Sequence, residues 1–112
     1  MKKYIILLPT CYNDGTEVPE DVINGIKREI DETFDGHAMG PPVEGTYRMA
    51  DGSLADDVCL QVWVALDEKN EGILREMVKV FAGRLKQESI YFEATNSKVE
   101  FIKPDDEGEG TL

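Results

Sequence analysis

Residues 58–66 constrain the fold more than any other stretch. Val58, Leu60, Val62, Val64 and Leu66 alternate with Cys59, Gln61, Trp63 and Ala65. Period-two patterning of this length is a β-strand with one aliphatic face and one mixed face. A single strand cannot bury its own face, so the chain must supply partner strands and a covering layer. Tyr4-Ile5-Ile6-Leu7-Leu8 is the natural partner. It is apolar on both faces, as a central strand reads, and Pro9 ends it.

The rest of the chain alternates helical and extended signals. Pro19 suits a first helical turn, and Glu20 and Asp21 follow where the helix dipole favours anions. Val22, Ile26, Ile30 and Phe34 then form one stripe, with Ile23 beside it, up to Asp35-Gly36. Residues 37–44 read as a loop and 45–50 as a short strand, with Asp51-Gly52 as a hairpin turn. A second helix is expected over 68–86, burying Ile73, Leu74, Met77, Val78, Phe81 and Leu85. Residues 89–94 read as a strand, and 98–102 as a further short one. The order is β-α-β-β-α-β plus an extra short C-terminal strand. That is the order of an α+β ferredoxin-like sandwich, with both helices on one sheet face. A single domain over 1–104 and an acidic, disordered tail over 105–112 are expected.

Chain direction in this topology brings three connections to one end: residues 9–18, 50–57 and 86–89. Tyr12, Asn13, Asp14, Arg48, Asp51, Gln87 and Glu88 fall there or beside it, a candidate polar site for a small ligand. Asp14 with the pair Asp56 and Asp57 is a candidate set of oxygen ligands for a divalent cation. Palm-type nucleotidyl cyclases and polymerases place metal-binding carboxylates similarly, but no glycine-rich phosphate cradle accompanies them here. The catalytic residues are unknown from sequence, and no cofactor is implied. His37, the only histidine, belongs to the opposite end, so neither a histidine-based zinc site nor a Ser/His/Asp triad can be assembled around the three loops. Cys11 and Cys59 read as structural thiols of a reducing, cytoplasmic setting.

Helices on one face leave the other open. That face carries Trp63, Cys59 and Tyr91, too apolar a set to leave in water, and is expected to form a homodimer interface. The formal charge is −11, with four acids and no base among the last eight residues, leaving −7 on the body. Such a surface argues against direct nucleic-acid binding and admits a basic protein partner. No run approaches a membrane span.

Three segments are distinctive in wording: Asn13-Asp14-Gly15-Thr16-Glu17-Val18-Pro19, Gly45-Thr46-Tyr47-Arg48-Met49-Ala50-Asp51-Gly52 and Gln87-Glu88-Ser89-Ile90-Tyr91-Phe92-Glu93. Together they resemble a family of small uncharacterised bacterial proteins, and distantly a larger bacterial domain-of-unknown-function family. The resemblance spans residues 4–103 and implies a ferredoxin-like fold with no established activity. In the larger family a glycine precedes the Gln-Glu step, where this chain has Lys86. Three functions are compatible with the sequence. The first is a small dimeric binding or regulatory module. The second is a small enzyme with a carboxylate-rich site that uses a divalent ion or works without one. The third is an acidic inhibitor of a basic or nucleic-acid-binding partner.

Overall fold

The computed structural model describes residues 1–105. In chain order its elements are β1 (Lys2–Pro9), α1 (Glu20–Phe34), β2 (Ala38–Met39), β3 (Val43–Arg48), β4 (Leu54–Leu66), α2 (Glu71–Arg84) and β5 (Phe92–Ala94). A short 3₁₀ turn, Glu68–Asn70, leads into α2. The two strands picked out by their apolar pattern are central and antiparallel, in register from Lys2 opposite Leu66 to Pro9 opposite Cys59. β5 takes the other edge of β1, while β2 and β3 both pair with β4. The sheet order and connections are those of a ferredoxin-like α+β fold.

Strand alternation sends Tyr4, Ile6, Leu8, Val62, Val64 and Leu66 to the helix side, where all are buried. Ile23, Ile26 and Ile30 of α1 and Leu74, Val78 and Phe81 of α2 close over them, with Leu85 just beyond α2. Burying one such side chain contributes about 1.5–3 kcal/mol. Ile73 departs from the expected stripe: it lies on the outer flank of α2 and is exposed. Helix α1 ends at Asp35 in the left-handed conformation (φ 66°), its N–H bonded to the Asp31 carbonyl at 3.0 Å. Arg84 reaches across from α2 and grips the Glu29 carboxylate of α1 with Nη1 and Nη2 of its guanidinium.

The strand expected over 45–50 is offset to Val43–Arg48, and the one expected over 58–66 begins earlier, at Leu54, because the hairpin turn returns the chain alongside β3. Four further elements differ from the sequence expectation, each for a local reason. The loop expected over 37–44 instead lays Ala38–Met39 beside β4, opposite Trp63 and Val62. Gly40 permits this, because a Cβ there would stand 2.6 Å from the Trp63 ring. The second helix is divided into the 3₁₀ turn and α2, and the backbone turns left-handed at Lys86 (φ 53°). The strand expected over 89–94 is regular only at Phe92–Ala94, although Leu7 N–H still donates to the Tyr91 carbonyl at 3.2 Å. The strand expected over 98–102 does not form. The chain there has run off the end of β1, keeping one bond from Val99 N–H to the Met1 carbonyl at 2.8 Å. It does not fold back over the open face. Of the tail expected to be disordered, residues 106–112 lie outside the described residues. No described helix is long and apolar enough to cross a membrane.

Candidate functional site

The pairing limits create a cleft. β1 stops opposite Cys59, but β4 begins further out at Leu54. Among the described residues Leu54–Val58 therefore pair only with β3, and the β3–β4 hairpin projects as an arm beyond the body of the sheet. On the far side of β1, the segment 87–91 leads from the end of α2 down into β5, antiparallel to β1. Between arm and segment the place of a middle strand is empty, because the chain leaves β1 at Thr10. It turns into a tight loop, with Tyr12 N–H bonded to the Thr16 carbonyl and Val18 N–H to the Thr10 carbonyl. The result is an open cleft of about 1430 Å³ lined from all three connections. That is wider than a small ligand needs for full enclosure.

Most of the residues expected at this end meet there. Tyr12, Asn13, Arg48, Asp51, Gln87 and Glu88 all line the cleft. Glu88 bridges it: its Oε2 accepts the Ala50 N–H at 3.0 Å, tying the arm's tip to the far wall. Asn13 Nδ2 donates to the Lys86 carbonyl at 3.4 Å, and the Lys86 ammonium sits 5.3 Å from the Tyr12 ring centre, so the loop is tied to the exit of α2. Gln87 Nε2 donates to the Leu85 carbonyl at 3.1 Å and dresses the end of that helix. Arg48 Nη1 donates to the Gly52 carbonyl at 2.7 Å, bracing the hairpin turn.

The aspartates divide by role. Asp14 is turned onto its own loop, where the Thr16 hydroxyl and N–H hold its carboxyl below the usual range. It does not line the cleft. Asp51 is held low in the same way by Ser53 but does face the cleft. Asp56 and Asp57 are successive residues of one strand, so their side chains leave opposite faces. Asp56 Oδ1 accepts the Thr46 hydroxyl at 2.7 Å on the helix-side face. Asp57 is half-buried on the open face; burial pushes its carboxyl up, against the pull of the Val58 and Thr10 N–H groups. Asp14, Asp56 and Asp57 thus do not converge. Among the described residues no group of three or more histidine, cysteine, aspartate or glutamate side chains comes together as metal ligands.

Tyr47 also lines the cleft, although it was not among the candidate site residues read from the sequence. It shares the open face with Gly45 and Asp57 by strand register. Its hydroxyl folds back over Gly45, where a Cβ would stand 2.6 Å away. Burial pushes the Tyr47 phenol up, aided by Cys59 and Asp57. The Gly-x-Tyr spacing was the available signal: a two-residue step puts the ring over a position with no side chain.

The open face is only partly open. Cys59 is 4% exposed, its thiol pushed up by burial and by Asp57. Trp63 is half-buried: the chain at Gly40 covers it, Lys3 Nζ sits 4.1 Å from its ring centre, and its Nε1–H donates to Gln61 Oε1 at 3.0 Å. Tyr91 is 48% exposed and donates to Glu93 Oε1 at 2.8 Å. Of the three residues expected at an interface, Tyr91 alone is exposed. At the opposite end of the molecule, His37 Nδ1 contacts Asp31 Oδ1 at 2.5 Å, away from the cleft.

No protein-family model matches the chain, and no curated protein matches it at a significant level. Solved structures do. A phage SAM lyase in complex with S-methyl-5'-thioadenosine superposes with a TM-score of 0.67 at 18% identity, over 84% of this chain and 79% of that one. The divalent cation tolerance protein Cut A1 from Thermus thermophilus gives 0.60 at 18% identity, over 99% and 93%. A phage SAM lyase in the apo state gives 0.59 at 15% identity, over 88% and 92%. At these identities the likeness is one of fold, and it agrees with the ferredoxin-like topology read from the strand pairing.

Proposed function

We propose that the chain is a small-molecule-binding module whose cleft takes an adenosyl sulfonium ligand of the S-adenosylmethionine class. The carrying observation is the composition of the lining. Tyr12, Tyr47 and Tyr91 surround the cleft together with Glu44, Asp51, Asp56, Asp57 and Glu88, against one cation, Arg48. Such a ligand has an adenine ring to stack on a tyrosine face. Its sulfonium and ammonium groups suit a carboxylate-rich wall and aromatic faces. Its carboxylate suits Arg48. The resemblance in fold to a lyase bound to S-methyl-5'-thioadenosine is compatible with this reading and motivates the choice of probe.

Calorimetric titration with S-adenosylmethionine and with S-methyl-5'-thioadenosine tests it. Binding of either is expected, weakened about tenfold in Tyr47→Ala, as loss of one aromatic stack predicts, and weakened again by added salt. Absence of heat and of thermal stabilisation at millimolar ligand overturns the proposal. Chromatography of the same mixtures separates two forms of it. Release of S-methyl-5'-thioadenosine from S-adenosylmethionine makes the module an enzyme, and unchanged ligand makes it a binder.

A second reading concerns assembly. Ile5, Leu7, Val43, Tyr47 and Tyr91 line a shallow depression of about 320 Å³ on the open face. A homodimer would cover it with the same face of a second copy. Tyr91→Asp is expected to abolish such a dimer in sedimentation, and a dimer unaffected by that change rules this face out.

A further inference from the structure

Among the described residues, two strand-like segments with unpaired edges lie at opposite ends of the molecule. The first is the outer edge of β3. Val58 turns its carbonyl towards β1, where Thr10 N–H bonds it at 3.1 Å, and Gln61 turns its carbonyl to Gly40 on the other side. Odd-numbered residues of β4 therefore bond across to β3, through Val43, Gly45 and Tyr47. Glu44, Thr46 and Arg48 must direct their backbone groups outward. Among the described residues β3 pairs with β4 alone, so that edge is a row of unused donors and acceptors.

The second is the segment after β5, Lys98-Val99-Glu100-Phe101-Ile102-Lys103. It is strand-like in composition, as long as β3, and closed by Pro104, which cannot donate to a ladder. Phe101 is 71% exposed and Ile102 90% exposed, the two largest values among the exposed large hydrophobic side chains described. Neither belongs to the core cluster or to the side chains packed against it, and the alternation of Val99 and Phe101 would suit a sheet surface.

We infer that residues 98–103 of one copy add as an extra strand to the outer edge of β3 in a second copy. The inference goes beyond the proposed cleft ligand and uses a different surface from the open-face dimer. Three observations select a second copy as the occupant. The first is reach. β5 runs antiparallel to β1, so the chain after Ala94 descends, with Thr95 N–H on the Lys3 carbonyl and Val99 N–H on the Met1 carbonyl. Its own arm stands beyond Pro9, at the far end of β1, and the segment points away from it. The second is charge. The arm carries Glu44, Asp51, Asp56 and Asp57 against Arg48. Lys98 and Glu100 pair with one another at 3.0 Å, so the segment's surplus charge is the positive charge of Lys103. Residues 98–103 thus carry a formal charge of +1 in a chain of net charge −11. The third is complementarity of kind: a free edge needs a strand, and a free apolar strand needs an edge. Donor and acceptor differ and sit at opposite ends, so the contact is heterologous and closes by reciprocal exchange or as a ring.

The test uses the full chain in sedimentation velocity from low to high micromolar concentration, with hydrogen exchange on the same samples. Self-association is expected, with amide protection appearing at residues 44–48 and 99–103 as it proceeds. Phe101→Asp/Ile102→Asp is expected to raise the dissociation constant at least about tenfold with an unchanged circular dichroism spectrum, since both side chains are exposed in the free chain. Thr46→Pro removes an outward N–H and is expected to do the same. Should Thr46→Pro fail to fold, the double variant decides alone. A chain that stays monomeric at every concentration overturns the inference, as does a double variant that associates like the parent. Tyr91→Asp separates the two surfaces: strand addition survives it, and an open-face dimer does not.

Discussion

Gly40→Ala is expected to be among the most damaging small substitutions in the protein. A Cβ at this position would lie 2.6, 2.7 and 2.8 Å from Cζ2, Cε2 and Nε1 of Trp63. Those separations are far inside van der Waals contact, and the neighbour is a rigid indole on a paired strand. The ring must move, and what it holds moves with it. Its Nε1–H donates to Gln61 Oε1 at 3.0 Å, Gln61 Nε2 donates in turn to the Pro41 carbonyl at 2.9 Å, and Lys3 sits over the ring. Overpacking costs about 1–3 kcal/mol, and a strained hydrogen bond and a displaced cation–π contact add roughly 0.5–1 kcal/mol each. With partial relaxation, a net loss of about 2–3 kcal/mol follows, or a fall in melting temperature of about 8–12 °C for a domain of this size. Thermal denaturation followed by circular dichroism reads the stability, and the emission of Trp63, the only tryptophan, reads the ring. The emission is expected to shift to the red. Gly25→Ala in α1 is the control, because nothing lies within 4 Å of its would-be Cβ. It is expected to stabilise by about 0.5–1 kcal/mol. If Gly40→Ala melts within experimental error of the parent with unmoved emission, the packing argument fails.

Two further expectations concern protons. Burial raises the Asp57 carboxyl in the folded state, so its ionisation opposes folding above that raised pKa and costs nothing below the unfolded value. Asp57→Asn is therefore expected to melt higher than the parent at neutral pH, with the gap closing as pH falls, and to bind the proposed ligand less well; equal melting at neutral pH refutes it. Glu29 behaves oppositely: the Arg84 hydrogen bond lowers its folded pKa, so its contribution is present above the unfolded pKa and lost as pH falls through the folded one. Both partners are substantially exposed, so Glu29→Gln should cost no more than about 1 kcal/mol near neutrality. Denaturant titrations of parent and variant are expected to converge in acid, and a constant difference down to about pH 2 contradicts the assignment.

What could be read from the residues follows from what periodicity encodes. β1, the inner part of β4 and the α1 stripe were legible because burial on one face leaves a repeat. The outer part of β4 was not. Leu54-Ala55-Asp56-Asp57 has no apolar alternation and two residues disfavoured in strands. It is a strand because the Asp51-Gly52 turn returns the chain alongside β3. That omission hid the arm, and with it the fact that Asp56 and Asp57 face opposite ways. The meeting of the three loops was legible from chain direction alone. Tyr47 was marked only by the Gly-x-Tyr spacing, because its place in the cleft depends on register. The covering of Trp63 was invisible for a related reason: it rests on Gly40, whose contribution is the side chain it lacks.

The arm also has a consequence for how this fold can change. Leu54–Val58 answer to β3 and to no other described strand, so residues can enter or leave at the Asp51–Gly52 tip without disturbing the β1–β4 register. The depth of the cleft wall is then an adjustable dimension, independent of the core. It adjusts only in symmetrical steps: inserting one residue on each side of the tip lengthens the wall and keeps every existing side chain on its face. A single insertion on one side, between Asp57 and Cys59, would exchange the faces of Asp56 and Asp57, turning the half-buried Asp57 carboxyl to the helix side and Asp56 to the open face. Parity, more than size, limits how such an arm can diversify.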